Sequence, residues 1–209
     1  MDHFDILFND GKKLPLVEQF YSIQGEGYHT GKPAWFIRVG GCDIGCRWCD
    51  TKFSWNKELH PVVDTDEIIA NAIACPAKAL VVTGGEPLLY DLGYLCSEVR
   101  KHGVKTYLET SGSCKLSGTW DWICLSPKKN NPPLKEIYTK TNELKVIIES
   151  EDDFDWAAGN AVFAGKNCKL FLQPEWSRFD TIIHPVVEYV KKNPKWSISL
   201  QAHKFMRIP

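Results

Sequence analysis

The sequence predicts an α/β fold, a partial, open parallel β/α barrel of about six strands with an N-terminal hairpin extension. Three observations lead there. Short apolar runs that read as strands buried on both faces alternate with helical runs, the pattern of a parallel sheet. The 209 residues fall short of the roughly 250 that a closed eight-unit barrel needs. A polar cluster follows the end of one strand after another, and in such barrels the carboxyl ends of the strands share the active face.

The elements follow in order. Phe4 to Phe8 and Leu14 to Ser22 flank the turn Asn9-Asp10-Gly11 and predict a hairpin. Ala34 to Val39 reads as a strand. Asp64 to Ala74 reads as a helix: Asp64 is placed to cap, Glu67 stands three residues on, and Ile68, Ile69, Ala72 and Ile73 make one apolar face. Ala79 to Thr83 is an apolar strand. Leu88 to His102 reads as a helix that Gly103 stops. Val104 to Glu109, Trp120 to Leu125, Leu144 to Ile148 and Lys169 to Gln173 are further strands. Phe179 to Lys192 reads as a helix that Pro185 should bend or break, and Trp196 to Gln201 is the last strand. The crossover Gly112 to Thr119 is too short for a helix. No linker or repeat divides the chain, so residues 1–209 are expected as a single domain, with 1–20 as the hairpin extension.

Composition excludes several classes. With 44% hydrophobic and 24% charged residues the chain is not a disordered one. A net charge of −1 gives no global attraction to nucleic acid or to an anionic membrane, so neither is expected as a partner. No apolar run approaches the length that spans a bilayer, and the first residues lack the basic start and apolar core of a signal peptide. A cytoplasmic location is therefore expected, with the eight cysteines reduced.

The polar clusters are Gly40-Gly41-Cys42, Gly84-Gly85-Glu86-Pro87, Thr110-Ser111-Gly112, Ser126-Pro127-Lys128, Pro174-Glu175-Trp176 and Ala202-His203-Lys204. Strand ends favour Gly, Pro and Ser in any case. That does not explain Cys42, Glu86, Lys128 and His203 together. The sharpest feature is Cys42-x3-Cys46-x2-Cys49, a spacing that eight cysteines placed at random would produce about 0.01 times. A structural zinc site wants four ligands, and an ordinary ferredoxin site four cysteines. Three thiolates on a four-iron cluster leave one iron open for chemistry, as an open position distinguishes catalytic from structural zinc. Cys75, Cys96, Cys114, Cys124 and Cys168 are scattered and read as small buried residues.

Cys42-x3-Cys46-x-Trp48-Cys49 resembles the signature of the radical S-adenosylmethionine (SAM) enzymes, and Gly84-Gly85-Glu86-Pro87 is similar to their GGEP loop. The flanks narrow the resemblance. Phe20 to Gly27, Cys49-Asp50-Thr51, Glu109-Thr110-Ser111-Gly112, Ser126-Pro127-Lys128, Gln173-Pro174 and Gln201 to Lys204 together resemble the 7-carboxy-7-deazaguanine synthases, from about Phe20 to the last residue.

That resemblance implies a lyase that contracts the ring of 6-carboxy-5,6,7,8-tetrahydropterin to 7-carboxy-7-deazaguanine with loss of ammonia, in queuosine and 7-deazapurine biosynthesis. It implies one [4Fe-4S] cluster on Cys42, Cys46 and Cys49, SAM used catalytically, and Mg2+ at Thr51. SAM would meet Trp48, Asp50, Gly84, Gly85, Glu86, Ser111, Ser126, Pro127, Lys128, Gln173, Pro174, Glu175 and Trp176. In the family the Glu of the GGEP loop and the loop's backbone hold the methionine amino group. The pterin would meet Ile23, Gln24, Gly25, Glu26, Arg38, Thr83, His203 and the terminal carboxylate at Pro209. Chemistry supports part of this unaided. Arg38 sits on an apolar strand, where an Arg needs a partner, which is either a substrate carboxylate or an internal acid. The implied partners are the pterin, an electron donor of flavodoxin or ferredoxin type, and a second copy in a homodimer. Two other readings stand beside it: a small radical SAM activase that makes a glycyl radical on a partner protein, and a non-enzymatic electron carrier or zinc module.

Overall fold

The computed structural model describes residues 10–209. The expected strand Phe4 to Phe8 lies outside the described residues. Its expected hairpin partner is present as β1 (Lys13–Ile23), which pairs antiparallel with β2 (Pro33–Val39). It also pairs with a three-residue strand, β3 (Val62–Asp64), that the sequence did not announce.

From β2 onward the sheet is parallel. It runs through β4 (Ala79–Gly84), β5 (Lys105–Thr110), β6 (Trp122–Leu125), β7 (Glu143–Ile148), β8 (Lys169–Pro174) and β9 (Trp196–Ile198). Among the described residues the order is β3-β1-β2-β4-β5-β6-β7-β8-β9, so the sheet is open and its parallel part has seven strands. The expected partial barrel is present, with one strand more than the expected six.

The helices are α1 (Thr65–Ala74), α2 (Gly93–Lys101), α3 (Asp153–Ala161), α4 (Phe179–Lys192) and α5 (Ala202–Met206). Ile68, Ile69 and Ala72 of α1, Leu95 and Val99 of α2, Ala157 of α3, and Ile182 and Val186 of α4 are buried in the main core. There they join one face of the sheet: Ile37, Val82, Leu108, Leu144, Val146, Ile148 and Leu172. Burying each of the leucine, isoleucine and valine side chains contributes about 1.5–3 kcal/mol, which is what holds the helices to that face. No α-helix covers the crossovers from β5 to β6 or from β6 to β7; the second carries only a 3-10 turn at Lys135–Lys140.

The other face departs from expectation. Side chains alternate along a strand, so the residues between the core positions share the concave side. Phe36, Val81 and Tyr107 lie there in register, with Trp122 next to Tyr107. The next row is polar: Arg38 beside Thr83, and Glu109, Cys124 and Glu143 side by side. Strands apolar on both faces are thus confirmed only near the bottom of the barrel; higher up the concave face is built to meet a polar occupant.

Four local expectations are corrected. Asp64 stands at the N-cap of α1, but its carboxylate makes no capping bond and is held by Lys13 instead. The helix expected from Leu88 begins at Gly93, because Pro87–Leu89 form a separate 3-10 turn and Asp91 Oδ1 accepts from Gly93 N at 2.7 Å. Pro185 does not break α4; Ile182 and Val186, buried on either side of it, secure one continuous helix. The last strand stops at Ile198, because the chain then turns so that Ala202 N bonds Gly25 O at 2.8 Å.

Candidate active site

The cysteine loop leaves β2 and is tied down at both ends. Tyr90 OH donates to Gly40 O at 2.6 Å, Gly41 N bonds Ser54 O at 2.7 Å, and Cys42 N bonds Trp55 O at 3.2 Å. On the adjacent strand end Gly85 N bonds Val39 O at 3.0 Å and Glu86 N bonds Gly41 O at 2.8 Å. The two loops touch so closely that a Cβ on Gly85 would lie 2.0 Å from Gly41 O. Gly41, at φ 98°, takes a turn that a side chain would strain.

Cys42, Cys46 and Cys49 are free, half-buried thiols that line one cavity of about 650 Å³ at the carboxyl end of the sheet. Burial pushes the Cys46 thiol up, while the Lys128 charge acts against it. Burial likewise raises Cys42, against backbone hydrogen bonds from Ile44 and Gly45. Among the described residues no three His, Cys, Asp or Glu side chains stand together as ligands of a single ion. A cubane cluster takes one thiolate per iron and asks for no such convergence. Three free thiols on a glycine-bearing loop, facing a roomy cavity, fit that group. Thr51 Oγ1 lies 3.5 Å from Cys49 Sγ, and Lys128 Nζ sits 5.6 Å from the centre of the Trp48 ring.

Most of the residues named from the sequence meet in this cavity. Its lining includes Ile23, Gln24, Gly25, Glu26, Arg38, Trp48, Asp50, Thr51, Thr83, Gly84, Gly85 and Ser111, together with Ser126, Lys128, Gln173, Pro174, Glu175, Trp176, His203 and Pro209. Pro127 and Glu86 are not part of it. Glu86 lies directly behind this lining, between Gly85 and the Thr110–Ser111 turn. It is 1% exposed, and its two oxygens take Thr110 Oγ1 at 2.6 Å, Leu88 N at 3.0 Å, Ser111 N at 2.8 Å and Ser111 Oγ. Its carboxylate is spent on shaping the loop that presents Ser111.

Two further carboxamide and carboxylate groups face inward. Gln173 Oε1 accepts from Ser199 Oγ at 2.8 Å, and Glu175 accepts from Ser177 N at 3.0 Å. Trp176 forms an aromatic group with Phe179 and Phe205 at the rim. Arg38 Nε bonds Glu18 Oε1 at 2.7 Å across the β1–β2 pair, so the internal acid is real while Arg38 still lines the cavity. The ring of His203 lies against Gly25, where a Cβ would fall 2.2 Å from Nδ1. Burial lowers the His203 pKa against the pull of Glu26, so the ring is neutral at pH 7.

Sequence reasoning missed the cavity's floor. Lys145, on β7, pairs with Glu26 Oε2 and with Glu109 Oε2, the latter at 3.0 Å. Gln24 Nε2 donates to Glu109 Oε1 at 3.3 Å, and Gln201 Nε2 to Glu26 Oε1 at 2.9 Å. Burial alone would raise the Glu26 pKa; the charge and hydrogen bond of Lys145 outweigh it and hold it at about 2. A signal existed. Lys145 interrupts the apolar run Leu144 to Ile148, and a lysine buried there needs a carboxylate, the argument that flagged Arg38.

Comparison with known proteins agrees with this geometry. The profile of the Radical SAM superfamily matches residues 36–149. The 7-carboxy-7-deazaguanine synthase of Flavobacterium psychrophilum is 52% identical over 98% of this chain and 97% of its own length. That of Synechocystis is 42% identical over 93% of each chain. The crystal structure of QueE from Escherichia coli superposes with a TM-score of 0.82 at 28% identity, covering 97% of this chain and all of that one. Among the described residues no helix is long and apolar enough to cross a membrane. The cysteine triplet, the open parallel barrel and full-length similarity of this degree agree: the chain belongs to the 7-carboxy-7-deazaguanine synthase family of the radical SAM superfamily.

Proposed function

We propose that this chain converts 6-carboxy-5,6,7,8-tetrahydropterin to 7-carboxy-7-deazaguanine and ammonia, a step toward queuosine. The observation that carries the reading is that one cavity joins the three thiols of Cys42, Cys46 and Cys49 to a floor of charged and amide groups. The thiols hold three irons of a [4Fe-4S] cluster and leave the fourth open. When bound, the cluster and SAM would supply radical chemistry, a reversible hydrogen-atom transfer at C6 of the pterin.

The chain's own residues bind and orient. The backbone of Gly84 and Gly85, Glu86, and Ser111, which Glu86 bonds, meet the methionine end of SAM, and Thr83 meets the pterin. Lys128, already bonded to Ser126 O and Oγ, offers its remaining charge to a cofactor oxygen. Gln173 to Trp176 meet the adenosyl part mainly through backbone, because the side chains of Gln173 and Glu175 are engaged internally. Trp48 and Asp50 close the same side. Arg38, anchored through Nε, turns its outer nitrogens to the substrate carboxylate. Ile23, Gln24, Gly25 and Glu26 take the pterin edge, neutral His203 and Pro209 flank it, and Thr51 contributes a hydroxyl to Mg2+. A flavodoxin- or ferredoxin-type protein supplies the electron, and the active form is a homodimer.

The test is anaerobic reconstitution with iron and sulfide, followed by reduction and addition of SAM with and without the carboxypterin. Mass spectrometry is expected to find a product lighter than the pterin by one ammonia, formed over many turnovers per SAM. Cleavage of SAM with the pterin untouched would leave the superfamily and refute the substrate.

A further inference from the structure

We propose that Lys145 is a positioning residue for the substrate: it holds Glu26 and Glu109 side by side on the cavity floor, so that the site selects a ligand edge with two or more N–H donors. This rests on the reading above that the cavity takes a carboxypterin.

Three observations carry it. First, the lysine is the deeper partner. Its side chain is 5% exposed, against 17% for Glu26 and 23% for Glu109, and all three line the cavity. Second, the acids come from separate places, Glu26 from the loop after β1 and Glu109 from β5, and one ammonium on β7 bridges them. Third, the hydrogen bonds are shared out evenly. Each carboxylate gives one oxygen to Lys145 and the other to an amide, Gln201 Nε2 for Glu26 and Gln24 Nε2 for Glu109. The Cys124 thiol also bonds Glu109. A carboxylate oxygen accepts two hydrogen bonds, so each Glu26 oxygen keeps a lone pair for a ligand and the Glu109 carboxylate keeps one.

The pyrimidine edge of a pterin, with its exocyclic amine and ring N–H, presents the complementary donors. A carboxylate there discriminates strongly because a ligand without the donors leaves it buried and unpaired. Lys145 is also a latch. Glu26 belongs to the segment whose Gly25 O is bonded by Ala202 N, so the same ammonium fixes the approach of the C-terminal turn that carries His203. The titratable groups around the pair are His203 and Lys204 on α5 and Asp50, beside Glu26, with Glu143, the Cys124 thiol and Lys128 beside Lys145.

The experiment is calorimetric titration of cluster-loaded, SAM-bound enzyme with 6-carboxytetrahydropterin, at several values from about pH 8 to about pH 5. Lys145→Met is expected to raise the pterin Kd about 10- to 100-fold, while the SAM Kd moves less than about threefold. The ratio of variant to wild-type Kd grows as the pH falls, because burial without the ammonium lets Glu26 take up a proton. Lys145→Arg recovers part of the affinity and the flat ratio. Should Lys145→Met not fold, the double variant Lys145→Met/Glu26→Gln removes the buried charge with its partner and is compared with Glu26→Gln alone. A further loss of at least about tenfold is expected, because Glu109 is no longer held. A wild type that does not bind the carboxypterin overturns the functional reading and this proposal with it. A wild type that binds, beside a Lys145→Met that binds equally with a flat pH ratio, overturns this proposal alone. So does a double variant that matches Glu26→Gln.

Discussion

Replacing Glu86 by Gln separates two accounts of the Gly-Gly-Glu-Pro turn. In the structure the carboxylate is 1% exposed and takes four donors, two on each oxygen. An amide keeps one acceptor oxygen, enough for Thr110 Oγ1 and Leu88 N, which both bond Oε1. The other end becomes an NH2 that faces Ser111 N–H and Ser111 Oγ. Two charge-assisted bonds are lost, each worth about 1.5–3 kcal/mol, and a buried N–H is left facing a donor. Ser111 Oγ recovers part of this by turning to accept. The net loss is about 2–4 kcal/mol, a fall in Tm of roughly 5–15 °C for a chain of this size. Differential scanning calorimetry on the anaerobic apoprotein measures it, and SAM titration on the loaded enzyme follows. The expected result is a lower Tm together with weaker SAM binding, because Ser111 loses its support. A variant that melts with the wild type and loses only SAM binding would refute the reasoning and make Glu86 a direct ligand.

Two other outcomes follow from the geometry. Gly85→Ala places a Cβ 2.0 Å from Gly41 O and 2.9 Å from Cys42 Cβ, so backbone must move at a cost of at least about 1–3 kcal/mol. Iron bound per chain after reconstitution should fall clearly below wild type, and full loading would show that the two loops part easily. His29→Phe tests a half-buried imidazole stacked on Tyr107, whose two ring nitrogens are buried and have no partner among the described residues. Burial, then Lys32 and Lys105, lower its pKa. The unfolded chain therefore takes up the proton first as the pH drops below about 6.5, and this contribution to stability is complete above that value and lost on acidification. The Phe variant should equal or exceed wild-type Tm at neutral pH, by up to about 4 °C, and the gap should widen at about pH 5.5. A lower Tm at both pH values would contradict it.

The framework of the site is legible in the sequence because spacing and strand ends carry it. Cys42, Cys46 and Cys49 declare themselves by interval, and the turns after β2, β4, β5, β6 and β8 converge because parallel strands end on one face. What sequence does not disclose is direction. A motif names Glu86 but not that its oxygens turn inward to Thr110 and Ser111. Lys145 is one polar residue in a strand, and only the register that sets Glu109 beside Cys124, and Cys124 beside Glu143, shows that the concave face is polar there. Local competition explains the remaining differences. Asp64 finds Lys13 before it finds a helix N–H. The helix α3 went unannounced because its stretch Asp153–Ala161 contains Gly159 and has little apolar periodicity.

In the function proposed above, three protein thiolates leave one iron open within the cavity that takes SAM. The most direct test is the electron paramagnetic resonance spectrum of the reduced cluster, recorded before and after SAM is added. The account predicts that SAM changes the spectrum of the wild type. It also predicts that Cys46→Ser abolishes the native signal while the far-ultraviolet circular dichroism stays that of a folded chain. A spectrum indifferent to SAM would mean a cluster with four protein ligands, and would contradict the account.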